Sequence, residues 1–273
     1  MAEYDIFVQM AFDWKYVVYM FMAGLGSGVY FFSVFGNYWR DEFRPLAKTS
    51  SLLTPIFVAI GMLFLLIDLG RPLRMWRLFI NFRPKSAISW GVWLLGIFFV
   101  LSVVYAYLLR KGDGKAKIFA YAGLPFAFLV PTYSGIALAQ APGKVLYHTA
   151  LLPWLFLTGA LICGLAVVIL ISVRKQDGEP VTKLGKYVAW LVVLELAMLL
   201  SEVLVLFNGG AEEVRAVKAL LVGQYSFLFW VLEIIIGAAI PATLYFIGKV
   251  PKVIQQGASV LLLMGIFTMR YIV

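Results

Sequence analysis

Three glutamates lie inside long apolar stretches of the sequence, where an ionisable group is expensive to keep. They are Glu195, Glu202 and Glu233, and Lys15 and Asp68 lie near the ends of similar stretches. Because ionisable groups within a membrane are rare, each is a candidate for proton handling or ligand binding. Glu195 and Glu202 are seven residues apart and therefore share one face of a helix. Two interpretations fit the glutamates equally well: a proton path, or hydrogen bonds from neutral acids that hold helices together.

The segment from Asp68 to Trp93 places cations and aromatic rings in a connector between two apolar stretches. The cations are Arg71, Arg74, Arg77, Arg83 and Lys85, and the rings include those of Trp76, Phe79, Phe82 and Trp90. Such a surface is suited to holding a partner protein. An aromatic belt at the membrane interface explains the rings equally well. Asp68 with Arg71 fits a simple ion pair at a helix end as well as it fits a proton-handling group.

Several polar side chains are predicted at the membrane depth of this segment. Lys15 and Tyr19 lie near the start of the first apolar stretch, His148 opens the fifth, and Glu202 lies near the end of the sixth. Tyr133 lies roughly 24 Å along the fourth stretch, at about 1.5 Å per residue. We expect these groups to form one site together with Asp68. Less specific roles are also open, because Lys15 can snorkel to the interface, Tyr133 can belong to an aromatic belt and His148 can be solvated.

The elements that carry these side chains are predicted to be transmembrane helices. The chain of 273 residues is 63% hydrophobic and 14% charged, which no soluble core of this size requires. About 20 apolar helical residues cross a hydrocarbon core. We predict eight spans, at Lys15–Tyr38, Ser51–Leu69, Ile88–Leu109, Ala116–Ala139, Leu151–Val173, Lys186–Phe207, Tyr225–Ile247 and Val253–Tyr271. The short connectors leave no room for a soluble domain, so residues 1–273 are predicted to form a single all-α membrane domain.

Small residues in the first span predict a close contact with another helix. The stretch from Gly24 to Gly28 reads GLGSG. Small residues at this spacing let the backbones of two membrane helices approach each other. We therefore interpret this stretch as a helix-packing surface.

The charge of the connectors predicts the orientation of the chain. Alternate connectors are rich in Lys and Arg, whereas the others, apart from the Asp68–Trp93 segment, hold little more than Lys144, Arg215 and Lys218. The positive-inside rule therefore places both termini outside, in a cytoplasmic (inner) membrane. The Asp68–Trp93 segment lies on the outer side against this rule, which favours a binding role for it. The net charge of +9 is spread over the connectors, and we see no nucleic-acid footprint in it.

The histidine and cysteine counts restrict the electron chemistry that this protein can perform by itself. It has one histidine, His148, and one cysteine, Cys163. A haem with two histidine ligands, an iron–sulfur cluster and a zinc site each need more such ligands than this. We therefore expect no haem or metal in this chain, and electron transfer would use an organic carrier or a cofactor in a partner protein.

Four stretches of the sequence resemble the NrfD/PsrC family, the quinone-reactive membrane subunits of polysulfide, thiosulfate, tetrathionate and related reductases. They are LGRPLRMWRLFINFRPKSAISWGVWLL, MAGLGSGVYFF, PTYSGIALA and HTALLPWLFLTGAL. The resemblance covers about residues 14–165 and is specific in combination. It implies eight haem-free helices in two four-helix bundles, at about 15–139 and 150–271, with the quinone site in the first.

The resemblance also implies a menaquinone or ubiquinone site at the outer face, beside a ferredoxin-like iron–sulfur subunit that exchanges electrons with a molybdopterin catalytic subunit. Tyr133 would hydrogen-bond a quinone oxygen, and Asp68 would lie near the proton exit. Lys15, Arg71 and His148 would contribute to the quinone site. The rest of the cationic segment would dock the partner, through Arg74, Arg77, Arg83 and Lys85.

Tyr19 stands where some members of the family have a histidine. A tyrosine donates a hydrogen bond but accepts a proton near neutral pH less readily than a histidine, which leaves the proton acceptor open. We predict a quinone-binding membrane subunit of a multisubunit respiratory oxidoreductase, with a proton path through Glu195, Glu202 and Glu233. A proton-coupled small-molecule transporter and a passive membrane anchor are the alternatives. A transporter needs no large docking surface, so the cationic segment speaks against it.

Overall fold

The structure is a computed structural model that describes residues 14–68, 80, 87–139, 149–175, 179–248 and 250–272. Two segments with predicted roles therefore lie outside the described residues. The first is most of the cationic connector, with Arg71, Arg74, Arg77, Arg83 and Lys85. The second is the connector that contains His148. The roles assigned to these residues stay predictions.

The described residues form eight helices long and apolar enough to cross a membrane, which confirms the all-α membrane fold and the number of predicted spans. In sequence order the helices are α1 Trp14–Tyr38, α2 Arg44–Asp68, α3 Ala87–Lys111, α4 Ala116–Ala139, α5 Leu152–Lys175, α6 Glu179–Phe207, the short α7 Ala211–Leu221, α8 Leu228–Ile247 and α9 Lys252–Ile272. A 3₁₀ turn at Asp41–Phe43 precedes α2.

Two helices begin earlier than the apolar stretches predicted. The second span was expected from Ser51 and the sixth from Lys186, but α2 begins at Arg44 and α6 at Glu179. A helix satisfies its own backbone hydrogen bonds, so it continues past the hydrocarbon core into the polar interface. Hydropathy reports the part of a helix that contacts lipid, and the additional turns are more polar.

Helix α1 is the centre of the structure and packs against α2, α4, α5 and α9. Its contact with α5 is made backbone to backbone, because a Cβ built on Gly28 would overlap the Ala160 carbonyl group. On the other side of the same crossing, a Cβ on Gly164 would overlap the backbone of Gly28. Small residues allow such an approach, and this confirms the prediction that the Gly24–Gly28 stretch is a close helix-packing surface.

Most of the remaining contacts lie within two groups of helices, which also pack on each other through the pair α4–α5. Helices α1 to α4 pack on one another through the pairs α1–α2, α2–α3, α3–α4 and α1–α4. Helices α5, α6, α8 and α9 do the same through the pairs α5–α6, α6–α8, α8–α9 and α5–α9. The predicted division of the chain into bundles at about 15–139 and 150–271 is not otherwise tested and stays a prediction.

The connector between α6 and α8 is more structured than a polar linker. Helix α7 is amphipathic, with Val217 and Leu220 buried. Leu220 packs in one apolar cluster with Phe229 of α8 and Ile272 of α9. Val217 and Leu220 are spaced as neighbours on one helix face, so α7 covers the ends of α8 and α9.

Candidate functional site

A group of three tyrosines and an aspartate forms where α1 begins and α2 ends. The rings of Tyr16 and Tyr19 lie with their centroids 5.3 Å apart, and the Tyr16 hydroxyl interacts electrostatically with Tyr19, Tyr133 and Asp68. Tyr19 is almost fully buried, with 3% of its surface exposed. We call Tyr16, Tyr19, Asp68 and Tyr133 the tyrosine cluster. The structure thus brings together Tyr19, Asp68 and Tyr133, the three residues predicted to act on the quinone and its protons, and adds Tyr16.

Tyr133 is positioned by a glycine on the neighbouring helix. A Cβ built on Gly91 of α3 would lie 2.6 Å from both the Cζ and the hydroxyl oxygen of Tyr133, so the phenol end of the ring lies directly against the α3 backbone. The Tyr133 hydroxyl interacts with the backbone of Gly91. The hydroxyl of Tyr19 lies close enough to interact with the side chain of Ser134, the residue that follows Tyr133. The phenols of the tyrosine cluster are therefore held by α1, α3 and α4 together.

Tyr16 was not singled out from the sequence. The protein has 14 tyrosines, and composition alone does not separate one from another. Its spacing from Tyr19 could have indicated its role, because residues three apart on a helix are neighbours. Lys15, which was predicted to contact a quinone, is partly exposed at the start of α1, next to the cluster in sequence.

A second polar group consists of the three glutamates and lies in the other set of helices. Glu195 and Glu233 are 5% and 7% exposed. Glu233 interacts electrostatically with both Glu195 and Glu202. One cavity is lined by Glu195 and Glu233, and the next by Glu233 and Glu202. The order in space is therefore Glu195, Glu233, Glu202, and we call these three residues the acid file.

The acid file ends at a cavity near the beginning of α5. Glu202 accepts a hydrogen bond of 2.7 Å from the Thr149 hydroxyl. Both residues line a cavity of about 360 Å³ that Gly209 and Glu213 also border. Of the site residues expected together, Glu202 thus belongs to the acid file with Thr149 rather than to the group around Tyr133. A continuation of the file from Glu195 to the opposite end of the helices stays a prediction.

Glu233 lies in an unusual piece of backbone. Residues Leu228–Ala239 of α8 form a π-helix, a form that is rare and found mostly as single turns at functional sites. Farther along α8, a Cβ on Gly237 would overlap Gly265 of α9, so these two helices also cross backbone to backbone. No pattern in the sequence indicates this π-helix, because apolar residues surround Glu233 on every face.

Arg270 of α9 is a buried cation that the sequence analysis did not select. Its side chain is 1% exposed, and Nη1 donates a hydrogen bond to the backbone carbonyl of Met20. The guanidinium lies 5.7 Å from the ring centroid of Phe21 and 5.2 Å from that of Phe156. Cation–π contacts of this kind favour a guanidinium in an apolar wall. Arg270 thus joins α1, α5 and α9 next to the tyrosine cluster.

A purely apolar cavity of about 430 Å³ lies elsewhere in the structure, against the second half of α1 and the beginning of α6. Its lining includes Phe31, Phe35, Trp39, Leu165 and Leu184. A site that orients a polar ligand needs a few placed polar groups, and this lining supplies almost none. The tyrosine cluster is therefore the better candidate for chemistry, although the apolar cavity is larger than those along the acid file.

Among the described residues, no group of three or more His, Cys, Asp and Glu side chains is placed to hold a metal ion.

Eight membrane-crossing helices with polar clusters buried between them define a multi-pass integral membrane protein.

The family model described as "Polysulphide reductase, NrfD" matches residues 5–273, and the chain belongs to the NrfD family. The C component of polysulfide reductase from Wolinella succinogenes is 28% identical over 271 residues, covering 86% of this chain and 83% of that protein. The C component of selenate reductase from Mesobacillus selenatarsenatis is 23% identical over 303 residues, covering 94% of this chain and 71% of that protein.

A further relative is the Hdr-like menaquinol oxidoreductase integral membrane subunit of Archaeoglobus fulgidus. It is 26% identical over 152 residues, covering 55% of this chain and 38% of that protein. Together with the family match, these similarities identify the chain as a membrane subunit of a respiratory oxidoreductase complex.

Proposed function

We propose that this subunit binds a membrane quinone at the tyrosine cluster and exchanges electrons between quinol and an iron–sulfur partner subunit. The observation that carries the proposal is the convergence of Tyr16, Tyr19, Tyr133 and Asp68 at one end of the helices. The relative from Archaeoglobus fulgidus is named as a menaquinol oxidoreductase subunit, which supports a quinone, either menaquinone or ubiquinone, as the ligand.

The residues of the cluster fit a quinone head group chemically. The two ring oxygens accept hydrogen bonds in a quinone and can also donate them, as hydroxyls, in the quinol, and a phenol hydroxyl can donate to the first and accept from the second. Tyr16 interacts electrostatically with two further phenols and one carboxyl group, beside a hydrophobic cluster that includes Tyr19. A few convergent polar groups in an apolar surround are the usual composition of a cofactor site.

Quinol oxidation supplies two electrons and two protons, and the cluster has groups suited to the protons. Tyr133 and Tyr19, held by Gly91 and Ser134 respectively, would orient the ring oxygens by hydrogen bonding. Asp68, at the end of α2, would accept protons and pass them to water at that end. The task of this protein's own residues is therefore to orient the ring, to exclude other reactants and to receive protons.

The electrons need an acceptor outside this chain. We propose a ferredoxin-like iron–sulfur subunit, docked on the cationic connector through Arg74, Arg77, Arg83 and Lys85, and through it a molybdopterin catalytic subunit. The relatives are named as parts of polysulfide and selenate reductases, which supports a larger complex. The positive-inside rule, applied to the charges of the other connectors, favours the outer face of the inner membrane for this docking.

The proposal is tested by removing one hydroxyl at a time in the assembled complex. We expect Tyr133→Phe to reduce quinol oxidation at least tenfold, because a hydrogen bond made in the transition state is lost while the ring remains. The matched control is Tyr121→Phe. The Tyr121 hydroxyl accepts a hydrogen bond of 3.0 Å from Trp39 and lies on α4 well away from the cluster, so its removal should leave turnover unchanged.

Turnover is measured with a reduced short-chain quinone in detergent, alongside the amount of quinone extracted from the purified complex. Full activity and full quinone content in Tyr133→Phe, with intact assembly, would contradict a quinone site at the tyrosine cluster. If every substitution in the tyrosine cluster impairs assembly of the complex and has no other effect, a passive membrane anchor is favoured instead.

The acid file supports a second candidate, a proton-coupled transporter, because buried carboxyl groups are common in such proteins. The two functions are separated by reconstituting the chain alone in vesicles with a pH-sensitive dye inside. Proton flux driven by a solute gradient, without quinol and without partner subunits, would favour the transporter.

A further inference from the structure

Arg270 carries a buried positive charge that neighbouring groups must compensate. A guanidinium is always protonated in a protein, and this one is 1% exposed. An uncompensated charge in a low-dielectric interior costs several kcal/mol. Within the part of the chain that the structure describes, the groups that interact electrostatically with Arg270 are the Cys163 thiol and the Glu195 carboxyl. A thiol in an apolar wall carries no charge, so Glu195 is the group available as counter-ion.

The contact between these two residues is not direct. The Nε and Nη2 atoms of Arg270 and the Oε1 atom of Glu195 are buried, and none has a hydrogen-bond partner among the described residues. Buried polar groups are nearly always hydrogen-bonded, either to protein or to ordered water. Three orphaned atoms from an oppositely charged pair therefore indicate that something small and polar lies between them.

Both polar groups pack directly against glycines on neighbouring helices. Gly24 of α1 faces the guanidinium, where a Cβ would lie 2.6 Å from Nη2. Gly159 of α5 faces the carboxyl, where a Cβ would lie 3.3 Å from Oε1. A side chain at either position would crowd a polar atom of the pair, so both glycines are needed to seat it. Water bound in a protein interior usually has two to four such polar partners.

We propose that Arg270 and Glu195 form a buried, water-bridged ion pair that joins α1, which carries Tyr16 and Tyr19 of the tyrosine cluster, to the acid file. Nη1 fixes the guanidinium to the carbonyl of Met20, next to Tyr19. The remaining N–H groups donate to bridging water, and that water donates to Glu195. The pair is therefore the junction between the two polar groups of the molecule.

The junction gives the acid file a direction. Arg270 is a cation that interacts with the file's first acid, and Glu195 in turn interacts with Glu233. A proton that reaches Glu195 removes the counter-ion of Arg270, so the proton is transferred on to Glu233 and from there to Glu202, restoring the pair. This role in proton transfer rests on the proposed function, whereas the water-bridged pair itself does not.

The ion pair is tested by a double-substitution cycle in the assembled complex, with apparent melting temperature as the readout. Glu195→Gln leaves Arg270 without a counter-ion, whereas Arg270→Gln leaves an acid that can take up a proton. We expect Glu195→Gln to lower the melting temperature more than Arg270→Gln, and the double variant to recover most of the loss. The matched control is Thr268→Val on the same helix, where the hydroxyl bonds locally to the Met264 carbonyl.

The bridging water is tested on the unaltered complex by radiolytic hydroxyl-radical labelling. Radicals formed from bound water modify adjacent rings, so two equally buried phenylalanines can be compared. Phe156 and Phe98 belong to one hydrophobic cluster and are both 0% exposed, but Phe156 lies beside Arg270 whereas Phe98 packs against the ring of Tyr30. We expect labelling at Phe156 and none at Phe98. In a Glu195→Leu/Arg270→Met variant the labelling at Phe156 should disappear.

Two results would overturn the inference. If the Glu195→Gln complex has the same melting temperature as the Thr268→Val complex, the Glu195 carboxyl is not the counter-ion of Arg270. If Phe156 and Phe98 label alike in the unaltered complex, no water lies between the pair. Both measurements are made without quinol, so either outcome is independent of whether the tyrosine cluster binds quinone. If the Gln variants do not assemble, the labelling of the unaltered complex still decides.

Discussion

The contact between Gly91 and Tyr133 offers a test of the tyrosine cluster that leaves every functional group in place. Gly91→Ala adds a methyl group 2.6 Å from the Tyr133 Cζ and hydroxyl oxygen. Ordinary carbon contacts lie at about 3.5–4.0 Å, so the ring must move by about 1 Å. A displacement of that size at a reacting group can cost roughly 100-fold in rate. We expect quinol oxidation to fall at least tenfold.

The expected effect on stability is smaller than the effect on rate. Overpacking a well-filled contact costs about 1–3 kcal/mol, and replacing a helical glycine with alanine returns up to about 1 kcal/mol. The net loss is therefore up to about 2 kcal/mol, which a folded complex tolerates. Gly257→Ala in α9 is the matched control, because nothing lies within 4 Å of a Cβ at Gly257. It should gain stability slightly and keep full turnover.

The assay is quinol-dependent electron transfer in the purified complex, with Tyr133→Ala and the double variant measured beside Gly91→Ala. If the methyl group acts through the ring of Tyr133, Gly91→Ala has no further effect once that ring is gone. Additive losses in the double variant would refute this reasoning, because sites that act through one group do not add. Unchanged turnover in Gly91→Ala would refute it as well.

Three further predictions concern stability. Gly28→Ala should destabilise by more than about 3 kcal/mol and lower the yield of folded protein, because its Cβ meets the α5 backbone, which cannot rotate away. Lys183→Ala should change the melting temperature little, since its 2.8 Å ion pair with Glu42 is partly exposed and worth less than about 1 kcal/mol. Tyr245→Phe should cost about 1–3 kcal/mol by removing the buried 2.7 Å hydrogen bond to Ser259, as measured by thermal denaturation; no change would mean that Ser259 finds another partner.

The eight spans could be predicted from the sequence because a membrane imposes a length and an apolar character that few other structures need. The residues at which α2 and α6 begin could not be predicted, because hydropathy marks where a helix meets lipid rather than where the helix begins. The predicted grouping of Tyr19, Asp68 and Tyr133 came from membrane depth together with family resemblance. Membrane depth alone also grouped Glu202 with these three residues, because depth does not show which helices are neighbours.

Arg270 shows a different limit of sequence reasoning. A cation near the end of an apolar stretch usually reaches the polar interface, and the position of Arg270 on α9 fits that rule. Its burial depends on Gly24 and on the rings of Phe21 and Phe156, which belong to two other helices. Only the tertiary arrangement brings those residues to α9, so no pattern within the last span could reveal it.

The π-helix at Leu228–Ala239 affects how this chain should be aligned with its relatives. An α-helix turns once every 3.6 residues, whereas each π turn takes in one more residue before its hydrogen bond closes. A helical wheel drawn through this span at the α period therefore assigns residues beyond Glu233 to the wrong face. A relative with a regular α-helix here would differ by a short gap inside a span that otherwise looks uninterrupted. Position-by-position comparison of Glu233 with acids in other members is meaningful only after that gap has been placed.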